Sequence, residues 1–131
     1  MSYKKLLAFA FVVLIILISI GATTQSLGII GYYVKKIPFG DKIIHFTLIG
    51  TLTYAVNLIM NFRQFNLFTI NWLTGSVIVF GIMTADEFSQ MFLSARSFEL
   101  LDLSANYIGI AAASLFIITQ KKNNKQQQQT I

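Results

Sequence analysis

The sequence predicts an all-α fold, a four-helix transmembrane bundle with short connections, and three observations predict it. The 131 residues are 55% hydrophobic and only 11% charged, too apolar for an ordinary water-soluble domain of this size. The apolar residues fall into four long runs rather than alternating with polar ones, which suits helices and not barrel strands. The basic residues flank those runs.

The first run, Leu6 to Ala22, follows Lys4 and Lys5. A basic start and apolar core also suit a signal peptide, but the seventeen-residue core approaches the roughly 20 residues that hydrocarbon demands and continues without a charge to Gly31, so a retained helix is the better reading. The second run, Ile43 to Met60, opens after Pro38 and Gly40, with Asp41 as an N-cap or first-turn acid. The third extends from Ile70 to about Leu93, and the fourth from Phe98 to Thr119. Short connections make the last three antiparallel neighbours. Residues 1–120 form one domain, and 121–131, polar and Gln-rich, read as a disordered tail.

Lys and Arg placement orients the chain. Lys4, Lys5, Arg63, Lys121, Lys122 and Lys125 fall on one side, and Lys35, Lys36, Lys42 and Arg96 on the other. This favours both termini in the cytoplasm and a multi-pass cell-membrane location. The net charge of +5 therefore belongs to flanking positions. No basic stripe or zinc-finger spacing supports a nucleic-acid partner, and the absence of cysteine excludes disulfides and thiolate chemistry.

Most polar residues fall at one level of this bundle. Asp41, Lys42 and His45 begin the second span; Asp86, Glu87 and Gln90 lie late in the third; Arg96 and Glu99 belong to the turn; Asp102 and Asn106 open the fourth. The fourteen residues from Trp72 to Ala85 span about 21 Å, so Asp86 and Glu87 fall inside a hydrocarbon layer about 30 Å thick. A carboxylate there must pair, face the interior or bind something. Asp41 with His45, Asp86 with Gln90, and Asp102 with Asn106 are each four apart, so each pair shares a helix face.

These residues suggest roles. His45, Asp86, Glu87 and Asp102 are candidate catalytic groups for proton transfer, and Asp41, Lys42, Gln90, Arg96 and Asn106 are candidate substrate-binding groups. Arg96 is the obvious counter-ion, able to hold a carboxylate or phosphate. Glu99 reads as a solvated turn residue. No metal motif such as HExxH is present, so no metal site is assigned and the cofactor is unknown; His45 with two carboxylates is the metal variant. Each residue also has a structural reading, as cap, snorkelling charge or interhelical ion pair.

The ordered pieces Asp41-Lys42-Ile43-Ile44-His45-Phe46, Asp86-Glu87-Phe88-Ser89-Gln90 and Arg96-Ser97-Phe98-Glu99-Leu100-Leu101-Asp102, continuing to Asn106 and Gly109, resemble the VanZ-like family, small membrane proteins related to a teicoplanin-resistance protein. The resemblance covers about Asp41 to Ala113 and departs from the family at Glu99 and at Leu103, where a Trp is common. It implies a four-span plan and the same charged set, but supplies no reaction. The resulting expectation is a membrane protein that binds or modifies a lipid-linked or phosphate-bearing cell-envelope molecule at the outer leaflet. The alternatives are a non-catalytic membrane subunit or target-masking protein, and a small transporter.

Overall fold

The computed structural model describes residues 1–23, 28–92 and 99–130. The element order is α1 (Tyr3–Thr23), α2 (Gly28–Lys35), α3 (Gly40–Ile59), β1 (Gln64–Leu67), β2 (Ile70–Leu73), α4 (Thr74–Ser89), a 3₁₀ turn (Gln90–Phe92) and α5 (Leu100–Gln129). α5 therefore carries the Gln-rich segment as its last turns.

The all-α four-helix expectation is corrected at its third member. Residues 70–73 are not the start of a helix but the second strand of an antiparallel hairpin, with Gln64 paired to Leu73, Phe65 to Trp72, Asn66 to Asn71 and Leu67 to Ile70. Period-two alternation explains it: Phe65, Leu67, Ile70 and Trp72 occupy one face, and Gln64, Asn66, Asn71 and Leu73 the other. The two-residue turn Phe68–Thr69 has φ of 53° and 64°, the doubly left-handed geometry whose twist matches paired strands. Trp72 donates its indole N–H to the Leu67 carbonyl at 3.2 Å.

The span count is corrected too. Among the described residues, two helices, Gly40–Ile59 and Leu100–Gln129, are long and apolar enough to cross a membrane, rather than four.

α3 is the central element and packs against α1, α4 and, most extensively, α5. Ile49, Leu52, Val79 and Ile110 form the buried cluster, flanked by Phe11, Val12, Ile15, Val56, Met83 and Tyr107. Gly109 permits the close approach of α5 to α3: a Cβ there would lie 2.6 Å from the Phe46 carbonyl oxygen. A polar seam ties three helices together where burial would otherwise strand hydroxyls. Asn57 donates to Ser76 Oγ at 2.9 Å, and Ser76 shares a 2.7 Å hydrogen bond with Ser114. With α3 and α5 running parallel, their N-termini meet at one end of the molecule, and the hairpin closes the other.

Candidate functional site

The turn before α3 fixes the first two site residues. Phe39 adopts a left-handed conformation (φ 58°) as the N-cap, and the Gly40 N–H bonds the Ile37 carbonyl at 2.9 Å. Asp41 is therefore a first-turn acid rather than the cap, where it complements the positive end of the helix dipole. Asp102 likewise lies in the first turn of α5.

Lys42 projects between these helix starts. Its Nζ lies 2.6 Å from Asp41 Oδ2, 2.7 Å from Glu99 Oε2 and 2.5 Å from Asp102 Oδ1. The ammonium donates hydrogen bonds to Asp41 and Glu99 and faces Asp102 as its third ion-pair partner. Hydrogen bonding to Lys42 holds the Asp41 carboxyl below its ordinary range. The carboxylates of Asp102, Asp41 and Glu99, in that order of weight, raise the Lys42 pKa above the ordinary lysine value.

His45 and Asn106 extend the cluster by one turn. His45 Nδ1 lies 3.1 Å from Asn106 Oδ1. With that oxygen as acceptor, Nδ1 carries the proton and Nε2 presents its lone pair. Nε2 is 3.8 Å from Asp102 Oδ2, beyond hydrogen-bond range, so a lone pair faces a carboxylate across a gap that a cation can fill.

Glu87 is 2% exposed and does not enter this cluster directly. Its Oε1 accepts the Glu99 backbone N–H at 3.2 Å, while Gln90 Nε2 reaches Glu87 Oε2 at 3.4 Å and Asp86 Oδ2 at 3.3 Å. α4 thus supports the site from behind by anchoring Glu99. Of the residues expected from sequence, Asp41, Lys42, His45, Asp102 and Asn106 converge, and Asp86, Glu87 and Gln90 form the adjoining group. Arg96 lies outside the described residues. Lys42 is the counter-ion of Asp102.

Sequence reasoning missed Glu99 as a site residue. The carboxylate oxygens of Asp41, Glu99 and Asp102 lie within 4.8 Å of one another and could hold a metal ion. The available signal was its place three residues before Asp102, at the N-cap of the same helix.

The fold and site together define a small, mostly helical protein with one hairpin and a lysine-centred carboxylate cluster. No family model, no curated protein and no solved structure matches the chain. The VanZ-like resemblance is corrected accordingly: no family model carries it, a hairpin interrupts the expected plan, and the charged residues form an internal ion-pair network. The role drawn from that plan is corrected with it. Two span-length helices rather than four, and a Lys42 already bound by three carboxylates, do not support a multi-pass cell-membrane protein that takes a lipid or lipid-linked envelope molecule at the outer leaflet. The membrane-subunit, target-masking and transporter alternatives rested on the same four-span plan and fall with it.

Proposed function

We propose that this chain binds a divalent cation in the cradle formed by Asp41, Glu99 and Asp102. Lys42 is then an internal placeholder that swings out when the metal enters. The observation that carries this reading is the mutual approach of three carboxylate oxygens to within 4.8 Å. With Lys42 in place the three carboxylates keep a local charge of −2; a divalent ion that replaces the ammonium lowers it to −1. The oxygen donors suit a hard cation such as Mg²⁺, Ca²⁺ or Mn²⁺, and a nearby imidazole lone pair shifts the preference toward Mn²⁺. His45 Nε2 stands beside this set, 3.8 Å from Asp102 Oδ2, and the contact of its ring with Asn106 orients it.

Mn²⁺ titration of the purified full chain, followed by the EPR signal of the free ion, tests the proposal. Lys42→Met should bind at least tenfold more tightly than the wild type, because the competing ammonium is gone; Asp102→Asn should bind at least tenfold more weakly. A cluster that is only a structural ion pair would show no Mn²⁺ uptake in either form, and that result overturns the reading.

A second reading rests on the His45–Asn106 contact. A histidine with a fixed tautomer, its free nitrogen facing a carboxylate, can exchange a proton between Asp102 and a bound substrate. Glu87 and Gln90 are then positioning residues, acting through Glu99. Nitrogen NMR of the His45 ring distinguishes the readings: Mn²⁺ should broaden both ring nitrogen resonances if the metal binds in the cradle, and leave them sharp if the site only moves protons.

A further inference from the structure

We infer that the opposite end of the molecule carries an anion site for a phosphoryl group, in the cleft between the polar face of the hairpin and the last turns of α5. This cleft has a volume of about 210 Å³ and is lined by Gln64, Asn71, Ile118, Lys121, Lys122 and Lys125. It is separate from the carboxylate cluster: Asp102 and Lys121 are nineteen residues apart on one helix, about 28 Å along its axis.

Charge segregation is the first argument. All five Asp and Glu residues, Asp41, Asp86, Glu87, Glu99 and Asp102, lie at or behind the N-terminal ends of α3 and α5. None of the ion pairs among the described residues involves Lys121, Lys122 or Lys125. Three ammonium groups therefore share one cleft with no acidic side chain to neutralise them, and their mutual repulsion falls when an anion enters.

Geometry is the second argument. Lys121 and Lys125 are four residues apart and Lys122 and Lys125 three, so the three share one side of the helix. Lys121 Nζ is held in place by a 2.9 Å hydrogen bond to the Phe62 carbonyl, which uses one of its three protons and leaves two for a ligand. Across the cleft, the strand register sets Gln64 and Asn71 on the same hairpin face. Asn71 Oδ1 accepts from Asn66 Nδ2 at 3.1 Å, which orients the Asn71 amide and leaves its N–H₂ donors for the cleft. Point-charge ammoniums combined with amide donors suit a compact, multiply charged oxyanion.

Calorimetry with pyrophosphate tests the site, using the full chain in metal-free buffer so that the probe is not engaged by cations. Saturable binding that weakens at least tenfold in Lys122→Gln/Lys125→Gln, and severalfold in Asn71→Ala, is the expected result. The double variant spares Lys121 and its structural bond to Phe62, and an unchanged far-ultraviolet circular dichroism spectrum and unfolding midpoint would show that it folds. Sulfate should bind more weakly than pyrophosphate, since it carries less charge. No saturable heat, or equal affinity in wild type and double variant, overturns the inference. So does retention on phosphatidylglycerol vesicles that pyrophosphate fails to compete, because that binding would be diffuse attraction to a charged surface rather than occupation of the cleft.

Discussion

Lys42 and Asp102, sixty residues apart in sequence, meet through a 2.5 Å ion pair that joins the first turn of α3 to the first turn of α5. The side chains are 19% and 18% exposed, so the pair is shielded from water but not sealed from it. That intermediate setting makes Lys42 both a structural tie and a cation that another cation can replace.

Removing the tie should therefore have opposite effects on stability and on metal affinity. Lys42→Met leaves three carboxylates facing one another, and should cost about 1–3 kcal/mol without metal, less than for a fully buried pair because water still reaches the site. Millimolar Mn²⁺ should restore the lost stability by mass action. Thermal unfolding with and without Mn²⁺ reads both effects, and a midpoint that falls without recovering would speak against a metal in the cradle.

Stability should also form a plateau in pH. The folded state holds the Asp41 proton less tightly than the unfolded chain, whose carboxyl titrates near 3.8. The stabilisation it contributes is full above that value and is lost as pH falls through the lower folded value. Lys42 is displaced the other way from the ordinary 10.5, so its contribution is full below about that pH and is lost as pH rises through the higher folded value. Denaturant midpoints from acid to alkaline pH should show this window, and Asp41→Asn should flatten its acid edge. An acid edge identical in the variant would mean that other carboxylates account for it.

Much of the site was legible as spacing. Asp41 with His45, and Asp102 with Asn106, declare their shared faces through a four-residue interval, and the breaks at Pro38 and Gly40 announce the start of α3. The hairpin was not legible because its turn is Phe68–Thr69, two residues without the Asn-Gly signature of left-handed turns, and because Ile70–Leu73 joins without a charge to the apolar run of α4. Glu99 escaped for a different reason. What places it is a backbone N–H given to Glu87, and a main-chain donor leaves no mark on a side-chain pattern. The centring of three acids on Lys42 is likewise a product of tertiary packing, since only the parallel pairing of α3 and α5 brings Glu99 and Asp102 to it.

The Glu87–Glu99 contact should be measurable as an effect on the metal at second hand. Glu87→Ala removes the acceptor of the Glu99 N–H and should weaken Mn²⁺ binding severalfold, although Glu87 itself is not a ligand. Glu87→Gln keeps a carbonyl oxygen and should restore most of the affinity. If the two variants bind Mn²⁺ equally, Glu87 acts by its charge and not by placing Glu99.

The glycines of the bundle offer a test of the packing that brings the acids together. Gly109→Ala would set a methyl group 2.6 Å from the Phe46 carbonyl oxygen, a backbone atom that cannot rotate away. α3 and α5 must then separate, at a cost of about 1–3 kcal/mol. Because Lys42 and Asp102 sit on the same two helices, separation should also lengthen their ion pair and weaken Mn²⁺ binding. Gly81→Ala is the matched control: nothing lies within 4 Å of a Cβ there, and the better helix propensity of alanine should stabilise α4 by about 0.5–1 kcal/mol. Chemical unfolding and Mn²⁺ titration of the two variants should therefore move in opposite directions for stability, with affinity lost only in Gly109→Ala. Loss of stability without loss of affinity would show that the acid cluster is held by its own ion pairs and not by the helix crossing beneath it.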